Sequence, residues 1–420
     1  MRKGLGRHNY RSAGGPQPSL VLDFAGTGTL DPRVTFTRST TGTYYNSSGV
    51  LTTAAINAPR FDYNPSTLAP LGLLIEQSST NLDLYSQDFS NVIWVKNAAT
   101  VTSGATTAPD GTTTGTLLVP TAISTNHYVT QVVTFTGIGT FSFYAKAKEY
   151  TAVTLSNSPN NYIHFDLTNG NISTLGTGWG SASCTPVGNG WYRCTGTNST
   201  SQTWGQTVIF ALNSFISNGN TAPTFIGNGT SGVYIWGAQL EALAFPTSYI
   251  PTTSAQVTRA ADVDSMTGTN FSSWYNTAQG TFYIEYCHIA VGGNGRRVMQ
   301  ITSTINISDS IDVLYGIGAT ADGTYMNSTG VSGAINNNII TPRPTTFTKI
   351  TIAFANNDYQ AYASGSSAGS DTSFLMPLNM NQFSIGCNTS GSSQMSGWIK
   401  KISYYPTRLT NAQLQSLTGS

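Results

Sequence analysis

Apolar and polar residues alternate, position by position, in several segments of the middle and C-terminal parts of this sequence. In "TFSFYAKAK" (140–148), Phe141 and Phe143 share one face and the residues between them share the other. "TKITIAF" (348–354) and "QFSIGCN" (382–388) repeat the pattern. A period of two is typical of strands that bury one face. Because Gly, Asn and Ser turns separate these segments and no ten-residue helical pattern lies between them, the sequence predicts an all-β fold of antiparallel β-sandwiches.

Proline residues indicate where one sandwich ends and the next begins. Pro246 and Pro251 lie in an extended polar stretch, 244–264, which is typical of a connector between two folded units. Upstream, short segments broken by turns precede the first regular strands. We therefore predict a basic N-terminal arm at 1–22, an extended, partly stranded linker region at 23–83, a first sandwich at 84–257 and a second at 258–420.

Charged residues are scarce, at 9% of 420 residues, against about 25% in ordinary soluble domains. Hydrophobic residues make up 39%, which is enough to fill two or three cores. A formal net charge of +1 offers little to neutralise a polyphosphate, so we expect no nucleic-acid partner. The longest apolar run is near "LGLLI" (71–75), far shorter than a membrane span, so we expect no membrane insertion.

The N-terminus carries four basic residues before its first acidic one. Arg2, Lys3, Arg7 and Arg11 precede Asp23, and no apolar segment of a secretory signal follows them. The arm is either a disordered basic tail or a segment that lies on a partner subunit. On the second interpretation these four residues attach the protein to its partner, and removing residues 1–22 leaves both sandwiches folded.

The four cysteines allow two interpretations. Cys184 and Cys194 flank a turn in "SCTPVGNGWYRC", so they could form a cross-strand disulfide, whereas Cys287 and Cys387 are distant. Nothing in the sequence indicates an oxidising compartment, and buried free thiols are the main expectation. The spacing excludes a CxxC zinc site.

The sequence offers no catalytic constellation, and we expect a protein that is not an enzyme. A glycosidase needs two nearby carboxylates, but the odd spacing of Asp309 and Asp312 would place them on opposite faces of a strand. The histidines are scattered, and His164 and His288 fall within predicted strands, where we expect structural roles. No nucleophile elbow, Walker loop or dinucleotide fingerprint is present.

Glycan binding is the function that we consider next. Exposed aromatic rings beside Asn, Asp and Ser side chains are typical of glycan-binding sites. Trp191 and Trp236 lie in strand-like segments and are predicted to be core residues. Trp179 and Trp204 lie in Gly/Ser/Thr-rich loops, where tryptophan can also plug the end of a sandwich. The predicted glycan-binding residues are Trp179, Trp204, Tyr315, Tyr325 and Tyr359.

We expect no cofactor and assign no metal ligand. Lectin-like sandwiches often hold calcium through carboxylate and carbonyl oxygens at sheet edges. Segments such as "SDSID" (308–312) could contribute such oxygens. No EF-hand spacing supports a calcium site, so calcium is only an alternative.

A capped helix is predicted at the C-terminus. Thr410 can accept from the backbone N–H of Gln413, whose side chain can reach back to residue 410, and Leu409 can pack on Leu414. Together these form a capping box with a hydrophobic staple.

Four segments resemble a family of bacteriophage virion proteins that carry concanavalin A-like (laminin G-like) sandwiches. They are 57–91 ("NAPRFDYNPSTLAPLGLLIEQSSTNLDLYSQDFSN"), 187–194 ("VGNGWYRC"), 237–268 ("GAQLEALAFPTSYIPTTSAQVTRAADVDSMTG") and 397–417 ("GWIKKISYYPTRLTNAQLQSL"). The resemblance covers most of the chain from about residue 22 onward.

The resemblance implies a jelly-roll sandwich, similar to a carbohydrate-binding module, followed by a concanavalin A-like sandwich. It implies that the C-terminal helix closes the second sandwich, with Leu409, Leu414 and Leu417 over the edge of the core. Members of the family occur as tail fibres and capsid-attached appendages. The implied role is particle decoration or host-surface glycan attachment, in a virion assembled in the host cytoplasm. The protein would form a homo-oligomer, with a trimer favoured, and would attach to other virion proteins through the arm. A non-viral carbohydrate-binding protein and a polysaccharide depolymerase are the alternatives.

Overall fold

The structure is a computed structural model that describes most of the chain. The described residues are 15–158, 161–289, 295–305, 309–317, 321–327, 335–340, 346–373 and 375–419, and for 157–158, 315–317, 321–322, 324–327 and 335–340 the backbone alone is described. The predicted attachment residues Arg2, Lys3, Arg7 and Arg11 lie outside the described residues, so their role stays a prediction.

The described chain is almost entirely β, and every ladder between its strands is antiparallel, which confirms the predicted fold class. The N-terminal segment contains β1 Leu20–Asp23, α1 Phe24–Thr27, β2 Thr35–Thr37, β3 Gly42–Tyr45, β4 Leu51–Ala54, β5 Phe61–Tyr63, β6 Pro70–Ile75 and β7 Ser79–Asn81.

The first sandwich follows the N-terminal segment. Its strands are β8 Val95–Asn97, β9 Ala99–Thr106, β10 Gly115–Pro120, β11 Ser124–Asn126, β12 Tyr128–Gln131, β13 Phe135–Gly137, β14 Thr140–Lys146, β15 Ala152–Ser158, β16 Asn161–Asp166, β17 Trp179–Pro186, β18 Trp191–Asn198, β19 Gln202–Trp204, β20 Thr207–Leu212, β21 Thr224–Ile226 and β22 Val233–Glu241. A sheet in the order β17-β18-β14-β22-β10-β9 faces one in the order β16-β15-β20-β12-β8. Phe141, Phe143 and Phe165 belong to the buried core of this sandwich.

The second sandwich occupies the C-terminal part of the chain. Its elements are β23 Val257–Arg259, β24 Val263–Thr267, α2 Thr269–Ser272, β25 Gln279–His288, β26 Arg296–Thr302, β27 Ser310–Ile317, β28 Ala321–Asn327, β29 Ile335–Ile340, β30 Thr348–Ala355, β31 Asp358–Ala363, β32 Ser366–Asp371, β33 Gln382–Ile385, β34 Gly397–Tyr405 and α3 Asn411–Thr418. One sheet has the order β32-β31-β30-β25-β34-β6-β5, and the other has the order β2-β24-β33-β26-β27-β28-β29. The predicted inward residues Ile350, Ile352 and Phe383 lie in its core.

The N-terminal segment is built into the second sandwich, so the prediction of a linker at 23–83 is wrong. β34 pairs with β25 along one edge, and its other edge pairs with β1 and then β6, in the register Leu20↔Tyr404 and Ile75↔Gly397. β2 extends the opposite sheet by pairing with β24. Leu20 and Leu22 are buried, so the last residues of the predicted arm are core residues. The free edge of β34 explains this placement, because an unpaired central strand would leave its backbone groups unsatisfied.

The C-terminal helix has the predicted capping box. Thr410 Oγ1 accepts from the backbone N–H of Gln413 (3.4 Å), and the Gln413 side chain accepts from the backbone N–H of Thr410 (2.9 Å). Leu409 and Leu414 pack around Ala353, which points away from the core that Ile352 and Phe354 fill. The helix therefore covers the outer face of β30 and β31, not the edge of the core as predicted.

The cleft between the two sandwiches as a candidate binding site

Trp179 and Trp204 do not form the exposed platform that the sequence predicts. They lie in β17 and β19 and have only 4% and 1% of their surface exposed. Their rings contact each other at 5.9 Å between centroids, and Trp204 stacks on Phe135 at 5.8 Å. The prediction was wrong because burying these large rings completes the end of the first core. Trp191 and Trp236, predicted as core, are buried.

Of the three predicted tyrosines, only Tyr359 has a described side chain, and it forms no exposed platform. Tyr359 is buried in the core of the second sandwich, with 1% of its surface exposed. The side chains of Tyr315 and Tyr325 lie outside the described residues, so their role stays a prediction.

Cys184 and Cys194 are free thiols in the structure, and Cys194 is buried whereas Cys184 is half-buried. They lie directly opposite each other in β17 and β18, with 3.8 Å between their sulfur atoms. Burial raises the pKa of the Cys194 thiol well above its ordinary value. His164 lies in β16, within a strand as predicted, and is buried. Its Nδ1 contacts Thr154 Oγ1 (2.7 Å), and burial lowers its pKa to about 4.

The described residues contain no group of three or more His, Cys, Asp and Glu side chains that could hold a metal ion. In the segment considered for calcium, Asp312 accepts from Arg297 Nε (2.9 Å), Gln300 Nε2 (2.7 Å) and Ser310 Oγ (2.6 Å). Its oxygens are therefore already engaged. In the described part of the chain, no helix has the length and apolar character needed to cross a membrane.

A cleft of about 290 Å³ lies where the two sandwiches meet the N-terminal segment, and most of its lining is apolar. Tyr44, Tyr45 and Tyr63 line it from the N-terminal segment, Tyr144 and Arg193 from the first sandwich, and Trp398 from the second. An apolar cleft with a few converging polar groups is the usual form of a small-ligand site.

Asp62 holds two parts of this cleft together. Its Oδ2 accepts from Trp398 Nε1 (2.8 Å), and its Oδ1 accepts from the backbone N–H of Tyr45 (2.7 Å). Burial raises the pKa of this carboxyl group to about 6, against the opposing effect of these hydrogen bonds. The carboxyl group thus fixes the half-buried indole of Trp398 in the cleft wall and presents remaining acceptor capacity beside it.

Arg193 supplies the positive charge of the cleft. Its Nη2 donates to Ser142 Oγ (3.0 Å) and to the backbone carbonyl of Thr247 (2.7 Å), and its guanidinium lies over the ring of Tyr144 at 5.7 Å. The Ser183, Thr185 and Thr195 residues of β17 and β18 line the same wall. This wall combines a cation with hydroxyl groups.

A buried network of charges adjoins the cleft, and one of its members, Glu76, also lines the cleft. Arg60 pairs with both Glu76 (2.7 Å) and Asp262, and Arg38 pairs with Asp262 (3.1 Å). Glu76 also accepts from the backbone N–H and the hydroxyl of Ser248, each at 2.7 Å. These contacts join the N-terminal segment, the connector and the start of the second sandwich.

The network stabilises both an acidic group, Glu76, and a basic group, Arg60, in their ionised forms. Burial opposes ionisation of Glu76, but Arg259 and Arg60 outweigh it and lower the pKa of Glu76 to about 2. Burial likewise opposes the charge on Arg60, and Asp262 and Glu76 outweigh it and raise the pKa of that guanidinium. The walls of the cleft are therefore preformed by an ionised network.

Sequence reasoning missed the cleft, although its residues lie in the segments that carry the family resemblance. Asp62 and Glu76 lie in 57–91, Arg193 in 187–194, and Trp398 in 397–417. Asp62 and Trp398 are 336 positions apart, and no local pattern reports such a contact. The only indication in the sequence was that four segments, far apart along the chain, carry the family resemblance.

No protein-family model and no curated protein matches this chain. Solved structures with partial similarity include the CBM40 domain of the Ruminococcus gnavus IT-sialidase bound to α2,3 sialyllactose, at 13% identity and a TM-score of 0.31, covering 36% of this chain and 88% of that one. Domain 4 of AbnA, a GH43 extracellular arabinanase from Geobacillus stearothermophilus, in complex with arabinotriose, has 12% identity and a TM-score of 0.32, covering 41% of this chain and 81% of that one.

The NanB sialidase from Streptococcus pneumoniae is similar at 12% identity and a TM-score of 0.30, with 36% of this chain and 26% of that chain covered. Values this low do not say which ligand this chain binds. The class that the fold and the cleft define is a two-sandwich, all-β protein with a ligand-sized cleft between its sandwiches.

Proposed function

We propose that this protein is a structural protein of a bacteriophage particle that displays two lectin-like sandwiches and binds a glycan in the cleft between them. The observation that carries the binding proposal is the meeting of aromatic rings, a carboxyl group and a guanidinium in one preformed cleft. Sugar rings have apolar faces that stack on aromatic side chains, and hydroxyl groups that need donors and acceptors beside them.

The parts of the cleft match both needs. Tyr63 and Trp398 offer half-buried aromatic surface, and Asp62 offers acceptor oxygens next to the indole. Thr185 and Thr195, from β17 and β18, add hydroxyl groups to the lining. Since the charge network holds these walls in place, binding requires little ordering of the protein, which favours affinity.

The virion role is supported by where the resembling segments lie. The segments 57–91, 237–268 and 397–417 contain Arg60, Asp262 and Trp398, and the structure brings them together at the joint between the sandwiches. We propose that this joint presents both sandwiches as one unit on the particle, in a homo-oligomer with a trimer favoured. Attachment to other virion proteins through Arg2, Lys3, Arg7 and Arg11 is part of the same proposal.

Glycan binding is tested with the purified full-length chain on an array of bacterial surface oligosaccharides, followed by calorimetric titration of the best ligand. Trp398→Ala and Tyr63→Ala should each weaken binding about tenfold or more, because each removes stacking surface. Tyr128→Ala is the control, since Tyr128 is a half-buried aromatic residue of the first sandwich outside the cleft. Unchanged affinity in both cleft variants would refute the proposed site.

Particle localisation tests the virion role separately. Labelled antibodies should mark intact particles in electron micrographs, and a version lacking residues 1–14 should be lost from them. A monomer in solution that is absent from particles would favour a non-viral carbohydrate-binding protein instead. Release of reducing ends or unsaturated sugars from host polysaccharide would establish a depolymerase.

A further inference from the structure

We infer that the cleft selects an acidic glycan, one whose sugar carries a carboxylate, and that Arg193 binds that carboxylate. This inference rests on the proposed glycan-binding function. It adds the chemical class of the ligand and names the residue that binds the acid group.

The polar partners of Arg193 are neutral groups. They are the hydroxyl of Ser142 and the main-chain carbonyl of Thr247, and Nε has no hydrogen-bond partner. Within the part of the chain that the structure describes, no carboxylate oxygen lies within 4.0 Å of its guanidinium. Burial lowers the pKa of Arg193, but the attraction of Tyr144, Glu241 and other groups at longer range outweighs burial and raises it. The cation at the cleft therefore has carboxylates at longer range but none in direct contact.

Neighbouring arginines show the contrast. Arg60 contacts Glu76 (2.7 Å) and Asp262, and Arg259 lies 3.5 Å from Glu76. These guanidiniums face the buried network, whereas Arg193 lines the cleft. The protein thus neutralises the arginines behind the cleft and leaves the one within it without a carboxylate in direct contact.

Arg193 is half-buried and has no carboxylate in contact, so a bound carboxylate can form the direct ion pair that the protein does not supply. Nη2 of Arg193 already donates twice and Nε is buried, so Nη1 is the nitrogen that can donate a charge-assisted hydrogen bond to a ligand carboxylate. Two carboxylates, Asp62 and Glu76, line the same cleft and oppose an anion there. Glu76 is paired with Arg60, and Asp62 accepts from Trp398 and keeps acceptor capacity for hydroxyl groups. The acid group of the ligand therefore belongs at the Arg193 wall, with the sugar hydroxyls towards Asp62.

The test uses pairs of probes that differ in the acid group: sialyllactose against lactose, and an oligogalacturonate against its carboxyl-reduced form. For at least one pair, wild-type protein should bind the acidic member about tenfold tighter or more, since one charge-assisted pair is lost in the neutral member. Added salt should reduce this preference. The comparison needs no variant, so it does not depend on whether a substitution is tolerated.

Two variants locate the effect. Arg193→Gln should bring the ratio of the affinities for the acidic and neutral members close to one, and this ratio is the readout because weaker binding of both members leaves it unchanged. Lys148→Gln, which removes a cation of the same sandwich outside the cleft, should leave the preference intact. Equal binding of the acidic and neutral members by wild-type protein would overturn this inference and leave glycan binding standing. Binding of neither member of any pair would overturn both.

Discussion

Arg60 and Asp262 form an ion pair across 202 positions of the chain, and neither side chain is exposed to solvent. Asp262 also pairs with Arg38, so one carboxylate compensates two buried guanidiniums. It further accepts from the backbone N–H of Glu76 (2.8 Å). The joint between the sandwiches therefore depends on this carboxylate.

Replacing Asp262 should be severe. Asp262→Ala leaves Arg38 and Arg60 without a shared partner, and breaking a buried pair in this way costs about 3–5 kcal/mol. Asp31→Ala is the control, because it removes a pair with Arg33 that is partly exposed and is worth about 1 kcal/mol or less. Urea unfolding of both variants measures the difference. Losses of similar size would show that the network does not stabilise the joint.

Residues 15–23 should be required for the second sandwich, in contrast to the expectation from sequence that 1–22 are dispensable. A chain lacking residues 1–23 loses β1, with the buried side chains of Leu20 and Leu22. The loss should exceed about 4 kcal/mol, since each buried leucine contributes about 2–5 kcal/mol. A chain lacking only residues 1–14 keeps this strand and serves as the control. Equal stability of the two truncations, measured by urea unfolding, would contradict the pairing of β1 with β34.

The C-terminal helix should contribute through packing more than through its cap. Leu414→Ala should cost about 2–4 kcal/mol, because Leu414 is fully buried against the outer face of β30. Thr410→Ala should cost about 1 kcal/mol through loss of the capping acceptor. Gln415→Ala, at an exposed position of the same helix, is the control. Denaturant unfolding compares all three, and a neutral Leu414→Ala would mean that the helix does not cover the sheet.

Asp83 should make stability depend on pH. Burial raises the pKa of this carboxyl group to about 7, against the opposing hydrogen bond from Thr207 (3.0 Å). Its protonated form is favoured in the folded state, so its contribution is complete below the unfolded pKa of about 4 and is lost as the pH rises to about 7.

The Asp83→Asn variant removes this titration. Between pH 4 and 7 its free energy of unfolding should fall less than that of the wild type, and above pH 7 the difference should stay constant. Comparing the two proteins by urea unfolding across this range cancels the contributions of Asp62 and other titrating groups. Parallel curves would show that Asp83 does not hold its proton in the folded state.

Local sequence patterns predicted much of the fold correctly but did not predict the candidate site. The alternation around Phe141 and Ile352 predicted strands and their inward faces correctly, because side-chain direction in a strand follows position parity alone. The cap at Thr410 was equally readable, since its hydrogen bonds span three residues. Trp179 and Trp204 were assigned wrongly because loop-like composition does not reveal whether a ring fills the end of a core.

The sequence by itself therefore determined that this chain is all-β, forms antiparallel sandwiches and ends in a capped helix. The tertiary structure decided that β1 and β6 complete the edge of β34, and that Asp62 and Trp398 meet in a cleft. The physical reason is the distance along the chain between the residues that interact. Periodicity and capping are set by neighbours along the chain, whereas strand partners and a cleft depend on which edges and charges remain unsatisfied once distant segments have packed together.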